Sequence, residues 1–261
     1  MSNLKLLLLS AVSCVVFLAG CGGGGDEGPD SEGGADATSA ATAEPAGSST
    51  VTGTINFAGT APAPQQLNLD RECQGLRDEP ATSEQVVVND DGTLRWVFVY
   101  VKEGLGDQQF AVSNEEVVLD QTGCMYEPHV IGIQTGQTLK ILNSDSLLHN
   151  IHAMPEQNRP FNFGMPTAGQ EREQSFRVPE VMVRIKCDVH PWMESWAGVT
   201  EHPYHAVSGD DGNFSIDNLP AGDYVIEAWH ERFGTQTQNV TVGDGESATV
   251  DFSFGGEAAA S

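Results

Sequence analysis

The chain has 261 residues, 39% of them hydrophobic, which suits one or two packed domains and excludes a multi-span membrane protein. Its 12 Lys and Arg face 37 Asp and Glu, a net charge of −25, so it lacks the basic footprint that a nucleic-acid partner requires. The acidity reads first as solubility and second as attraction to a basic partner.

Lys5 precedes an apolar stretch, Leu6 to Leu18, too short for a spanning helix. It ends Leu18-Ala19-Gly20-Cys21, which resembles a bacterial lipobox. That resemblance implies a signal peptide over 1–20 and a lipidated Cys21 as first mature residue, anchored without spanning. An ordinary secretory signal with an unrelated cysteine is the alternative. Gly22 after the cysteine resembles the pattern sorted to the outer membrane in Gram-negative lipoproteins. The expected location is therefore the bacterial envelope, lipid-anchored, facing the periplasm or the cell surface. Residues 21–49 are Gly, Ser, Ala, Asp, Glu and Thr without apolar periodicity, a disordered tether with a reach of about 30 Å. Residues 255–261 read as a disordered tail.

From Val51 onward, β-branched and aromatic runs alternate with turn signals, which predicts an all-β chain of sandwich type. Expected strands are Val51–Phe57, Val86–Val88, Leu94–Val101, Glu116–Leu119, Val130–Gln134, Thr138–Asn143, Val181–Lys186, Asn213–Ile216, Asp223–Trp229 and Ala248–Phe254. The segment from Gln157 to Gln174 holds Pro160, Gly164, Pro166 and Gly169 and reads as a loop. Of five cysteines, Cys14 leaves with the signal and Cys21 carries lipid, so Cys73, Cys124 and Cys187 remain. An odd number in an oxidising compartment suggests one disulfide and one thiol with another task.

Two short stretches carry chemistry: Leu148-His149-Asn150-Ile151-His152 and Lys186-Cys187-Asp188-Val189-His190-Pro191-Trp192-Met193. Each alone is weak, since single His and Met residues are usually packing or surface groups. Together they supply the His, His, Cys and weak axial Met of a blue-copper site. Copper(I) favours sulfur and copper(II) favours imidazole, so a mixed set on a rigid frame serves both oxidation states.

The two motifs resemble the cupredoxin family, in its amicyanin type, with a short Cys-x-x-His-Pro-x-Met loop and a His-Asn-x-His stretch. The resemblance covers about residues 106–201. It implies a Greek-key sandwich binding one copper ion through His149, Cys187, His190 and Met193, with Asn150 as a hydrogen-bonding lock beside the thiolate. It also implies that His190 lies near the surface as the exit edge for electrons. With Cys187 on the metal, Cys73–Cys124 is the default disulfide. Two further metal sets stay open, His152 with Met154 and Cys124 with His129. Trp192 and Trp196 either exclude water or face a partner.

The sequence from Ala206 to Glu231, with Asp211-Gly212-Asn213-Phe214 and Leu219-Pro220-Ala221-Gly222-Asp223-Tyr224, resembles a carboxypeptidase regulatory-like, transthyretin-like (prealbumin-like) module. Its signature residues are turn and core chemistry. The opening run Val51 to Gly59 resembles the first strand of the same module. Residues 50–105 and 202–254 are therefore expected to form one small sandwich split by the copper domain, with two consecutive domains as the alternative. The expected function is that of a membrane-anchored carrier of single electrons between redox proteins. A copper-delivery or surface-binding lipoprotein is the competing reading.

Overall fold

The computed structural model describes residues 47–255. The expected signal peptide, Cys21 and most of the expected tether lie outside the described residues, as does the tail beyond Gly255. In chain order the elements are β1 (Ser49–Ala58), the four-residue helix α1 (Arg71–Gln74), β2 (Phe98–Glu103), β3 (Val117–Thr122), β4 (Met125–Glu127), β5 (Val130–Gln134), β6 (Leu139–Asn143), β7 (His149–Met154) and β8 (Phe161–Met165). There follow β9 (Gln170–Gln174), β10 (Glu180–Lys186), β11 (Glu194–Thr200), β12 (His205–Val207), β13 (Asn213–Leu219), β14 (Gly222–His230), β15 (Gly234–Val242), β16 (Ser247–Thr249) and β17 (Phe252–Gly255). The described chain is all-β apart from α1.

Four sheets enclose two main cores. The five-stranded sheet β5-β11-β10-β7-β8 faces β4-β3-β6-β9 across a core that includes Leu119, Ile141, Ile151, Val183 and Ile185. Sheet β13-β1-β16, with β17 also on β1, faces β12-β2-β14-β15 across Val51, Val99, Phe214, Ile226 and Phe252. β1 runs antiparallel to β13 and parallel to β16 and β17. The first described strand is thus paired with strands that follow residue 212. Leu67, Leu69, Cys73 and Ala81, which fall within 50–105, pack into the first core.

Strand β7 shows how the pattern places the site. His149, Ile151 and Ala153 are buried, and His152 and Met154 point the other way, partly exposed, as the period of two along a strand requires. β10 pairs antiparallel with β7, Ile185 opposite Ala153 and Lys186 opposite His152. This register carries the chain from β10 directly into Cys187 beside β7.

The outer face of β5 and β11 meets the β12-β2 side of the second sandwich through Trp96, Phe98 and Val130, with Trp196 and Trp229 packed against them. Glycines permit the approach. A Cβ on Gly198 would lie 2.4 Å from the Phe98 ring, and one on Gly132 would lie 2.3 Å from the His205 ring. Both faces of β5 and β11 are consequently covered.

Several expectations need correction. Residues 157–174 hold two strands rather than a loop: β8 pairs with β7 and β9 pairs with β6. Pro160 and Pro166 bracket β8 without interrupting it, and Gly164 sits in an edge strand, where glycine is tolerated. β9 reads Gln-Glu-Arg-Glu-Gln, a charged edge without apolar alternation. Val86–Val88 forms only a bridge from Val88 to Leu94. Strand β2 begins at Phe98 rather than Leu94, because Trp96 adopts φ of 67°, which breaks extended pairing. β4, β7, β11, β12 and β15 are also additional to the expected strands.

Gly198→Ala should cost about 1–3 kcal/mol by forcing a methyl group against buried Phe98, measured by denaturant unfolding. Burial pushes His202, His205 and His230 down to about 4, His205 also feeling His202. These groups bind protons in the unfolded chain at pH values where the folded chain leaves them neutral, so stability falls as pH drops from the ordinary histidine range toward 4. His129 works the other way: burial lowers it, but the bond to Glu231 and its charge raise it more. With four histidines, buried His190 included, against one, calorimetry should give a lower Tm at pH 5 than at pH 7.

Candidate metal centre

His149, at the start of β7, is fully buried. Its Nε2 lies 2.8 Å from Asp145 Oδ2. A carboxylate only accepts, so Nε2 carries the hydrogen, which in the neutral ring leaves the Nδ1 lone pair for a metal. That Nδ1 lies 3.0 Å from Nδ1 of His190. Asp145 also accepts from the backbone N–H groups of Gly123 (2.7 Å) and Cys124 (2.8 Å). One buried carboxylate thus joins the imidazole orientation to the β3–β4 turn, through charge-assisted bonds that are the stronger kind.

Cys187 is the free cysteine among the described residues, and it is buried. Its Sγ accepts from the His190 N–H at 3.3 Å and lies 3.9 Å from His190 Nδ1. The loop closes on itself: Cys187 N–H donates to the Met193 carbonyl (3.2 Å), and Met193 N–H donates to the His190 carbonyl (3.0 Å). Met193 is fully buried in the same core cluster as Cys187. Asn150 ties the two stretches together, because its Oδ1 accepts from the Asp188 N–H at 3.0 Å. Its Nδ2 donates to Asn162 Oδ1 (2.6 Å) and to the Phe163 carbonyl (3.1 Å).

A sulfur of Cys187 and ring nitrogens of His149 and His190 lie within 4.8 Å of one another, all buried. One thiol and two imidazoles fit the trigonal donor set of type 1 copper. Burial first, and then His149 alongside, hold the His190 imidazole below its ordinary range, in the neutral form that binds metal.

His190 itself is not at the surface. It is 6% exposed, so its ring edge lies just beneath covering groups rather than bare to solvent. Asp70, at the N-cap of α1, brings Oδ2 to 3.7 Å from His190 Nε2 and accepts from the Cys73 N–H at 2.9 Å. Cys73 is joined to Cys124 by a disulfide. The two half-cystines lie within 4.8 Å of a ring nitrogen of His190, and Cys124 is equally close to His149 and Asp145. The segment around α1 is therefore a cap stapled over the histidine pair. Trp192 adds to it, with its ring 5.2 Å from that of His190 and its Nε1–H donating to the Cys124 carbonyl at 3.0 Å.

The remaining sequence candidates are dispersed. His152 faces away from His149 and pairs with Asp188 at 3.0 Å, so the His152–Met154 set does not join the site. Cys124 is spent in the disulfide, and His129 pairs with Glu231 at 2.7 Å, so no Cys124–His129 set forms. Cys21 lies outside the described residues. Sequence reasoning missed the roles of Asp145 and Asp70. The Asn143-Ser144-Asp145 turn four residues before His149 carried a signal for the first; nothing marked the second.

Residues 197–255 match the family model of the carboxypeptidase regulatory-like domain. Among solved structures, a novel purple cupredoxin from Nitrosopumilus maritimus is 24% identical, covering 32% of this chain and 99% of that one at a TM-score of 0.27. An amicyanin variant in its Cu(I) form is 19% identical over 39% of this chain and 97% of that one, with a TM-score of 0.29. The Cu-containing nitrite reductase NirK from Thermus scotoductus SA-01 is 21% identical over 38% of this chain at a TM-score of 0.30, and only 26% of its own length is spanned. No curated protein matches the chain. The chain thus carries a carboxypeptidase regulatory-like segment and a weak structural similarity to cupredoxins.

In the metal-free Cys73→Ser/Cys124→Ser variant, the cap should lift. His190 should then react with diethyl pyrocarbonate several-fold faster than in the wild type, while partly exposed His152 stays unchanged by peptide mass spectrometry. An unaltered His190 rate would contradict the cap.

Proposed function

We propose that this chain is a lipid-anchored, extracytoplasmic type 1 copper protein that carries single electrons between redox proteins. The observation that carries the reading is the buried convergence of His149, Cys187 and His190. Those three residues would hold the ion, and buried Met193 would offer a weaker thioether donor.

Bound there, copper supplies one-electron exchange between Cu(I) and Cu(II). The chain's own residues hold the donors in place for that exchange. Asp145 fixes the tautomer of His149, Asn150 pins the backbone after Cys187, and the Cys187–Met193 loop is closed by its own hydrogen bonds. Preorganised donors change little between oxidation states, which keeps reorganisation small. The cap and Trp192 exclude water, so the centre acts as a carrier rather than a catalyst with an open substrate position. A partner redox protein approaches over the ligand loops, where Leu148 and Val189, each adjacent to a donor, are 47% and 46% exposed. Anchoring through Cys21 in the bacterial envelope is read from the lipobox resemblance.

Copper delivery, or surface binding without electron transfer, is the competing reading. Delivery calls for exposed, exchangeable donors; Met154 is exposed, whereas Met165 is buried and His152 is held by Asp188.

Copper(II) added to the purified protein should produce the intense visible absorption of thiolate-to-copper charge transfer, and Cys187→Ser should abolish it. A colourless complex formed only with copper(I) would favour delivery. Absence of metal uptake would overturn the copper reading.

A further inference from the structure

Glu231, just past β14, is a buried carboxylate that the copper site does not use directly. Its Oε1 accepts from His129 Nε2 at 2.7 Å and its Oε2 accepts from Trp196 Nε1 at 2.9 Å. The other ring nitrogen of His129, Nδ1, lies 3.0 Å from the Glu194 carbonyl. Carboxylate and carbonyl oxygens only accept, so both nitrogens of His129 carry hydrogens and the ring is an imidazolium paired with Glu231. The backbone N–H of Trp196 in turn donates to the His129 carbonyl at 2.9 Å. Ser195 Oγ donates to the Pro128 carbonyl at 3.2 Å.

These bonds form a short path between the two sandwiches. Glu231 belongs to the segment that matches the regulatory-like domain. His129 lies between β4 and β5 of the other sandwich, and Glu194 directly follows Met193. The Met193 backbone is bonded to both Cys187 and His190. Whatever fixes the Glu194 carbonyl therefore fixes the end of the ligand loop. The side chains of His129 and Glu231 are each 6% exposed, so water does not readily replace either partner, and a buried charge left alone is costly.

We propose that Glu231 is a positioning residue for the copper-ligand loop. The second sandwich, acting through the Glu231–His129 pair, holds the backbone at Glu194 and thereby sets the place of Met193. This rests on the type 1 copper reading for its consequence at the metal, but the clamp itself is a property of the metal-free chain. It gives the fused module a role in tuning the centre, beyond adding a second packed body.

The test compares the full chain with its Glu231→Gln and Glu231→Asp variants. In the metal-free proteins, hydrogen exchange at the amides of Cys187, Met193 and Trp196 should rise about tenfold or more in Glu231→Gln, which keeps an acceptor for Trp196 but loses the charge facing His129. Glu231→Asp, which keeps the charge, should restore part of the protection. With copper bound, Glu231→Gln should also shift the reduction potential and the charge-transfer spectrum. Should Glu231→Gln fail to fold, His129→Gln is read by the same measurements and should give the same loosening. Wild-type exchange and an unchanged copper spectrum in a folded variant would overturn the proposal. If the wild type forms no copper–thiolate band, the copper reading fails, and the metal-free exchange rates still decide whether the clamp exists.

Discussion

The candidate centre depends on one register, that of β7 against β10. Ile185 lies opposite Ala153 and Lys186 opposite His152, so the inward faces of both strands agree and Cys187 emerges beside His149. Side chains alternate with a period of two, so a slip of one residue would turn His149 outward and bring His152 in. The buried residues Ile151, Ala153, Val183 and Ile185 enforce the register, because slipping would expose apolar surface now in the core. The hydrophobic core and the donor set are thus specified by the same pairing.

The surroundings of the donors add rigidity and exclusion. Asp145 draws together His149 and the turn at Gly123 and Cys124, and the disulfide from Cys124 continues to Cys73 and the cap. Asp70 caps α1 and faces His190. A chain of polar and covalent links therefore runs from one imidazole, around the disulfide, to the other. It covers the histidine pair on that side, while Leu148 and Val189, each next to a donor, stay exposed.

Much of this was legible in the sequence because it rests on local signals. The spacing Cys-x2-His-x2-Met and the His-Asn-x-His stretch are short-range, and strand alternation pointed to the all-β class and most core strands. What escaped depends on tertiary context. β9 is an edge strand of polar residues, and its pairing with β6 leaves no apolar trace. β8 lies between prolines that look like breakers until its edge position is known. Asp70 and Cys73 stand far before His190 in the chain and meet it only when folded, so no local pattern marks the cap. Likewise, Glu231 stands in a Trp-His-Glu run that reads as turn or surface polar groups, and its reach to His129 follows from the close approach permitted by Gly132 and Gly198.

The two sandwiches share a junction rather than a linker. Trp196, Trp229 and Phe98 pack there, and a buried ion pair crosses it. That arrangement makes the regulatory-like segment part of the frame around the donors, and it places the copper reading on the geometry of the whole described chain. The most direct measurement is X-ray absorption at the copper edge of the loaded protein. The account predicts a copper ion bound by one thiolate sulfur and two imidazole nitrogens, the sulfur signal vanishing in Cys187→Ser. A copper ion with only nitrogen and oxygen neighbours, or a spectrum indifferent to Cys187, would contradict it.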